Sequence, residues 1–254
     1  MQLIQLPNEL LALIMAHIDL PDLLFLRNVN SRLDKIIESV CSLKRQSLSL
    51  GRPTVTSDNS TVKRLWLKSY KFSYIHPKET ALNSPHFCAF LQRLFPNLHS
   101  LAIEMDVDQN VLRTLLAQWK LTTLVLNPTF YSESQSAALY DLLNSMQSLK
   151  QLSLGHISVP LSQLRTTLVR LDRFAIESMF EVDVFQPDSN YTRLWCDATL
   201  SHANLTFVLQ SRLLNTTTHL RLSSRLDAIT SNSVCVNAQN LTHFSFGLEE
   251  YVRI

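Results

Sequence analysis

The chain has 254 residues, of which 46% are hydrophobic and 17% charged, a composition that predicts a folded protein with a full core and excludes a largely disordered chain. The formal net charge of +2 argues against a protein that wraps nucleic acid or binds an anionic membrane surface. The sequence contains only three glycines, which excludes the glycine-rich loops that bind phosphate groups.

Three short apolar helices are predicted within residues 6–40. Pro7 and Pro21 each suit the first turn of a helix, where a missing N–H costs nothing, and Ser31 with Asp34 resembles a capping box for the third helix. The apolar residues of the three helices are, in chain order, Leu10, Leu11, Ile14 and Ile18; Leu23, Leu24, Leu26 and Val29; and Leu33, Ile36, Ile37 and Val40. Helices this short cannot bury so many apolar side chains among themselves, so we expect something else to cover the excess.

The same residues resemble the F-box family. Residues 6–11 read Leu-Pro-Asn-Glu-Leu-Leu, residues 19–24 read Asp-Leu-Pro-Asp-Leu-Leu, and residues 26–32 read Leu-Arg-Asn-Val-Asn-Ser-Arg. An F-box implies binding to the Skp-type adaptor subunit of a cullin–RING (SCF-type) ubiquitin ligase. The adaptor-binding residues that this resemblance implies are Leu6, Pro7, Leu10, Leu11, Ile14, Ile18, Leu20, Leu23, Leu24, Leu26 and Val29. The alternative is that residues 1–40 form only a helical cap on the domain that follows.

A short strand and a linker are predicted after the helices. Residues 41–50 are predicted to form a short strand that ends in Leu48-Ser-Leu50, and residues 51–61 are polar and contain Gly and Pro close together. The predicted domains are therefore an F-box-like helical domain at 1–41, a short strand and linker at 42–61, and a repeat domain at 62–254.

One short pattern recurs from residue 62 onward: apolar-x-x-apolar-x-apolar, which is typical of a strand with one buried face. Its copies are 62–67, 98–103, 121–126, 149–154, 171–176, 191–196, 218–222 and 241–246. From the second copy to the last the spacing is roughly 20–28 residues, the period of leucine-rich repeats. Helical periodicity fills the gaps at 84–94, 107–116, 139–146, 161–168 and 200–214.

The chain from about residue 62 to 246 resembles a leucine-rich-repeat protein. The predicted fold class is therefore α/β: a small three-helix N-terminal F-box followed by an irregular leucine-rich-repeat solenoid. Short parallel strands are expected on the concave face, with helices and loops on the convex face. An ordinary parallel α/β sheet is the alternative, but its strands would be near-continuous apolar runs, whereas these alternate.

In each copy, the third and fifth positions lie on either side of the central apolar residue. Strand alternation predicts that both face an open surface. Two of the three tryptophans, Trp66 and Trp195, occupy fifth positions, and Trp and Arg are enriched at binding hot spots. The predicted target-binding residues are Arg64, Trp66, Lys68, Arg173, Glu177, Arg193, Trp195, Asp197, His219, Arg221 and His243. The alternative for each of these two tryptophans is a contact with the helices or with another segment of the chain. Trp119 is predicted to lie in the core.

The sequence contains no recognisable catalytic or metal-binding motif. The eight histidines are scattered without ligand spacing, although His219 and His243 are expected to be neighbours on adjacent strands. The four cysteines lie far apart, which favours buried, reduced thiols. No cofactor or metal is therefore predicted.

These observations predict a substrate receptor that is not an enzyme. The F-box-like helical domain at 1–41, which we call the head, binds the Skp-type adaptor, and the repeats bind an unidentified target protein. No nucleic acid or membrane partner is expected. Without a predicted signal peptide or an apolar stretch long enough to span a membrane, we expect the protein in the cytoplasm, the nucleus or both. Two alternatives stay open: a non-catalytic interaction scaffold whose head only caps the solenoid, and a hydrolase site hidden in the loops.

Overall fold

A computed structural model describes residues 5–44, 46–51, 73–75, 84–105, 107–126, 133–155, 161–177, 192–197, 213–222, 239–246 and 250–253. The chain divides into two compact units, Met1–Leu121 (unit 1) and Thr122–Ile254 (unit 2). The domain boundaries predicted at residues 41 and 61 stay predictions. Among the described residues, no helix has both the length and the apolar character needed to span a membrane.

The described part of unit 1 contains five helices and three strands. In chain order they are α1 (Asn8–Met15), α2 (Leu20–Leu26), α3 (Ser31–Lys44), β1 (Ser47–Leu50), β2 (Ser73–Ile75), α4 (Pro85–Leu94), β3 (Ser100–Ile103) and α5 (Gln109–Ala117). The strands are parallel in the order β2–β1–β3, so Leu50 lies opposite both Ile75 and Ile103. The three predicted head helices and the helices predicted at 84–94 and 107–116 are thus present. The strand predicted at 41–50 is confirmed only in its last part, as β1, because α3 continues to Lys44. The first copy of the recurring pattern, 62–67, lies outside the described residues.

Helix α3 begins with a different cap from the one predicted. Asn30 precedes the helix, and its side-chain oxygen accepts a 2.7 Å hydrogen bond from the N–H of Arg32. Ser31 is the first residue of the helix and not its cap. The Ser31–Asp34 capping box is therefore wrong, because Asn30, one residue earlier, satisfies the free N–H groups of the first turn. Asp34 instead forms a salt bridge with Arg27.

The core of unit 1 is built around α3, which contacts α1, α2 and α4. The predicted stripe of α3 is confirmed, since Leu33, Ile36, Ile37 and Val40 are all buried. Trp119 is also buried as predicted, and its indole N–H donates a 2.7 Å hydrogen bond to the carbonyl oxygen of Phe95. Apolar packing on three sides of one helix therefore joins the head to the rest of unit 1.

Charged side chains reinforce the contact between α3 and α4. Arg93 donates two hydrogen bonds to the carboxylate of Glu38, at 2.9 and 2.8 Å, and lies 3.8 Å from Asp34. Arg27, which pairs with Asp34, also lies over the ring of Phe90 at 5.1 Å from its centroid. The bidentate geometry fixes the orientation of the two helices more firmly than a single ion contact would.

Gly51 ends β1 in a conformation that favours glycine. Its φ of 103° lies in the left-handed region, and a Cβ there would come within 3.1 Å of the backbone of Glu104. The N–H of Glu104 in turn donates a 2.8 Å hydrogen bond to the carbonyl oxygen of Leu50. Glycine therefore lets two chain segments approach closely at the end of β1 and β3.

The described part of unit 2 contains seven strands with short helices between them. They are β4 (Thr123–Leu126), α6 (Glu133–Ser145), β5 (Gln151–Leu154), a 3₁₀ helix (Leu161–Leu164) followed by α7 (Arg165–Leu168), β6 (Arg173–Glu177), β7 (Arg193–Asp197), α8 (Leu213–Thr216), β8 (His219–Leu222), β9 (His243–Phe246) and β10 (Glu250–Arg253). Strands β4 to β9 are parallel, each beside the next in the chain, and β10 pairs antiparallel with β9. The predicted strands are confirmed here, whereas β10 was not predicted.

Each of the strands β4 to β9 begins at the third position of its copy of the pattern, where the copy 218–222 starts at the second position, and these third positions are paired across the sheet. The central apolar positions pair in the same way; they are Leu124, Leu152, Phe174, Leu194, Leu220 and Phe244. The described side chains of this central row are buried. The fold is thus mixed α/β with a parallel sheet, and its constant register resembles that of leucine-rich repeats.

A repeated hydrogen-bond arrangement precedes β7, β8 and β9. The residue before each of these strands is Thr192, Thr218 or Thr242. Each threonine donates both its N–H and its hydroxyl to the carbonyl oxygen of the corresponding residue one repeat earlier, which is Asp172, Thr192 or Thr218 respectively. The distances are 2.8 to 3.0 Å. We call these residues the threonine ladder. It holds successive strands in register at the point where each begins.

Candidate functional site

The first candidate site is an exposed apolar surface on the head. Leu10, Leu13 and Ile14 form one stripe of α1 and are 47, 53 and 38% exposed. Phe25 in α2 is 73% exposed, and Val29, just after that helix, is 56% exposed. We call these five residues the head surface. All five are large apolar side chains of the same three-helix segment, and large exposed apolar areas are typical of a surface that binds another molecule.

The residues predicted to bind the adaptor differ in exposure. Exposed are Pro7, Leu10, Ile14 and Val29, and partly exposed are Leu6, Ile18, Leu24 and Leu26. Leu11, Leu20 and Leu23 are buried in unit 1, with 0 to 1% of their surface exposed. We therefore assign these three to the core of the head, because a partner cannot contact a side chain that the protein already covers. Adaptor binding by the others stays a prediction.

Sequence reasoning missed two members of the head surface, Leu13 and Phe25. Leu13 is three residues after Leu10 in α1, so the helical period places it beside the other exposed residues. The predicted stripe instead combined exposed Leu10 and Ile14 with buried Leu11. Because α1 is apolar on both sides, periodicity alone does not show which side meets the core.

A groove of about 560 Å³ lies between α1 and α3. Arg32 lines it and donates 2.8 Å hydrogen bonds to the side-chain oxygen of Asn8 and to the carbonyl oxygen of Leu6. Glu9 and Lys35 also line the groove. The head thus carries both exposed apolar side chains and a groove with charged lining residues, two features that occur in protein-binding surfaces.

The second candidate site is the strand face of unit 2. Its third-position row is Thr123, Gln151, Arg173, Arg193, His219 and His243, and its fifth-position row is Val125, Ser153, Ala175, Trp195, Arg221 and Ser245. The predicted neighbours are therefore brought together in register. Glu177 and Asp197 form a further pair, at the ends of β6 and β7. The predicted residues Arg64, Trp66 and Lys68 lie outside the described residues.

The prediction of an open face is wrong for the first strands of the pattern. In the third-position row Ser100 and Thr123 are buried, and in the fifth-position row so are Ala102, Val125, Ser153 and Ala175. Alternation determines which side of a strand a residue faces, but not whether that side is covered. In the third-position row Gln151, Arg173 and His219 are partly exposed and His243 is exposed. The accessible part of this row is therefore its later part.

His219 and His243 are the best-defined pair on the strand face. Their rings stack with centroids 4.2 Å apart and planes 8° apart. The Nδ1 atom of each lies 2.9 Å from the hydroxyl oxygen of the preceding threonine, Thr218 or Thr242. Since each threonine hydroxyl donates its proton to a carbonyl oxygen, its oxygen accepts from the imidazole, and Nδ1 carries the hydrogen.

The stacked histidines do not form a metal site, since parallel rings do not direct two nitrogen lone pairs at one point. In the described part of the chain, no group of three or more His, Cys, Asp or Glu side chains could hold a metal ion. Cys41 and Cys88 are buried and outside any disulfide, as the sequence predicted, and burial raises the pKa of Cys88. The expectation that the chain is not an enzyme stays a prediction.

No protein-family model matches the chain, and no curated protein does either. Among solved structures, the chain is similar to internalin C2 from Listeria monocytogenes. The identity is 20%, the match covers 61% of this chain and 74% of that chain, and the TM-score is 0.40.

Proposed function

We propose that the protein is a substrate receptor of an SCF-type ubiquitin ligase. The head surface binds a Skp-type adaptor, and the strand face of a leucine-rich-repeat solenoid binds the target protein. The ubiquitin-transfer chemistry belongs to other subunits, so this chain contributes by holding the target near them. The role places the protein in the cytoplasm, the nucleus or both.

The observation that supports this proposal is the exposed apolar surface on a segment whose sequence resembles an F-box. The resemblance alone applies equally to buried and exposed leucines of the head. The exposure of Leu10, Ile14 and Val29 supplies residues that a partner can cover. Each apolar side chain that a partner buries fully contributes about 1.5–3 kcal/mol before the costs of association.

Co-precipitation of the full-length chain with a purified Skp-type adaptor tests the proposal. The variant Ile14→Asp places a charge in the proposed interface, so we expect binding to fall by about 30-fold or more. The matched control is Val169→Asp, because Val169 is 40% exposed and Ile14 is 38% exposed, but Val169 lies in unit 2. Circular dichroism of each variant confirms that the fold is retained.

The outcomes separate the proposal from its rival. Loss of adaptor binding in Ile14→Asp with full binding in Val169→Asp supports the substrate receptor. Failure of the wild-type chain to bind the adaptor, or equal binding by both variants, contradicts it.

The rival function is a non-catalytic interaction scaffold whose head only caps the repeats. The packing of α3 on α4 and the Arg93–Glu38 hydrogen bonds favour it, because they join the head to the rest of unit 1 as a cap would be joined. A wild-type chain that is folded and monodisperse but does not bind the adaptor is the result expected of a scaffold.

A further inference from the structure

The later part of the third-position row consists of four consecutive basic or titratable residues. Arg173, Arg193, His219 and His243 are paired in register on β6, β7, β8 and β9. We call these four residues the basic row. Because adjacent strands are about 4.8 Å apart, the row is about 14 Å long. The register itself therefore aligns these four residues on neighbouring strands.

The described side chains of the basic row can meet a ligand. Arg173 and His219 are partly exposed and His243 is exposed. No described carboxylate forms a salt bridge with Arg173, whereas Arg27 and Arg93 of unit 1 both have acidic partners. Arg173 thus presents a guanidinium charge on the strand face that no described carboxylate pairs with.

The histidine end of the row is held rigidly by the threonine ladder. Thr218 and Thr242 bind the Nδ1 atoms of His219 and His243, and the two rings stack. With the Nδ1–H of His243 engaged by Thr242, Nε2 is the ring nitrogen that can meet a ligand; it accepts a hydrogen bond in the neutral imidazole and donates one only in the imidazolium. A side chain held in place before binding loses little conformational freedom when it binds.

Acidic residues occupy the opposite ends of two of these strands. Glu177 and Asp197 are paired four residues beyond Arg173 and Arg193. At about 3.3 Å per residue, this separates the acidic pair from the basic row by about 13 Å. The strand positions are therefore basic at one edge and acidic at the other, which suits a protein segment of patterned charge better than a uniformly charged polyanion.

We propose that the basic row binds an acidic, extended segment of a protein partner lying across strands β6 to β9. Alternate side chains of an extended chain point the same way about 6.7 Å apart, so carboxylates at positions i, i+2 and i+4 span about 13 Å, close to the length of the row. This inference rests on the part of the proposed function that assigns target binding to the strand face, and it specifies the chemistry of the target.

Fluorescence anisotropy with the full-length chain tests the inference. The probe is a labelled nine-residue peptide with Glu at three alternate positions, and its control is the same peptide with Gln at those positions. We expect the Glu peptide to bind at least about tenfold more tightly and to lose affinity as salt is added. Equal binding of the two peptides would overturn the inference.

Charge-reversal variants locate the binding. Arg173→Glu is expected to weaken binding of the Glu peptide by about tenfold or more. Arg113→Glu makes the same change in net charge at an exposed residue of α5 and is expected to change binding less than about twofold. Equal loss in both variants would show a nonspecific charge effect and overturn the inference. His243→Ala is expected to weaken binding without affecting the sheet core.

Two further measurements complete the test. An oligothymidylate that binds to the basic row more tightly than the Glu peptide would overturn the assignment to a protein segment. The adaptor co-precipitation run in parallel reports on the head alone. Peptide binding without adaptor binding therefore supports the inference while contradicting the ligase role, and adaptor binding without peptide binding does the reverse.

Discussion

The head and the strands of unit 2 are both built from short apolar elements, yet the sequence pattern determines them to different degrees. Each of the strands β4 to β9 begins at the same position of its copy, and the central row pairs throughout. In the head, the neighbours Leu10 and Leu11 are 47% and 0% exposed. The strand pattern occurs many times in the sequence, whereas the apolar pattern of each head helix occurs once. The recurring pattern therefore predicts the register of the strands, but the pattern of a single helix does not predict which of its sides faces the core.

The largest expected effect distinguishes the two sides of α1. Leu11→Ala should lower the free energy of unfolding by about 2–5 kcal/mol, because it removes a fully buried side chain and leaves a cavity. Leu10→Ala, next to it on the exposed side, should change stability by less than about 0.5 kcal/mol. Chemical denaturation of both variants measures the difference. Equal destabilisation would mean that the burial assigned to this helix is incorrect.

A smaller effect is expected from the threonine ladder in unit 2. Thr218→Val keeps the shape of the side chain but removes the hydroxyl that donates to Thr192 and accepts from His219. We expect a loss of about 1 kcal/mol in unfolding free energy. The control is Thr166→Val, at an exposed threonine of α7. A comparable loss in the control would show that the hydroxyl contacts of the ladder contribute nothing specific.

The smallest effect concerns the joint between α3 and α4. The hydrogen bonds from Arg93 lower the pKa of Glu38 below its ordinary value of 4.5, although partial burial acts in the opposite direction. A lowered pKa in the folded state means that the carboxylate stabilises the fold above the unfolded pKa, and that this contribution is lost as the pH falls below about 4.5. Glu38→Gln should therefore lose less stability between pH 7 and pH 3.5 than the wild type.

Thermal denaturation at several pH values measures this difference, which should be small because both side chains are partly exposed to solvent. Asp141→Asn, at an exposed position of α6, serves as the control and should behave as the wild type does. A Glu38→Gln variant with the same pH dependence as the wild type would contradict a stabilising joint at this position.

The threonine ladder explains why strand positions could be predicted closely. The apolar pattern identifies the central row, and the backbone hydrogen bonds at the start of each strand then place the flanking positions in register. The recurring pattern alone predicts His219 and His243 as neighbours, and their rings stack with centroids 4.2 Å apart. The antiparallel strand β10 carries no copy of the pattern, and so it could not be predicted in the same way.

Coverage of the strand face could not be predicted. Val125 and Ala175 occupy positions that alternation assigns to the outer face, and both are buried. Both faces of β4 are buried, the property expected of an ordinary α/β sheet, while the strand order is that of a repeat. Which residues face outward is a local property of a strand, but whether they contact solvent depends on chain segments distant in sequence.

The sequence by itself determined the elements: three short head helices, a recurring strand, and the alignment of Arg173, Arg193, His219 and His243 on neighbouring strands. Only the tertiary structure decided that Leu11 is covered while Leu10 and Ile14 are exposed, and that Asn30 and not Ser31 caps α3. The physical reason is that periodicity and hydrogen bonding along the backbone act between near neighbours, whereas burial is set by whatever part of the chain packs on top.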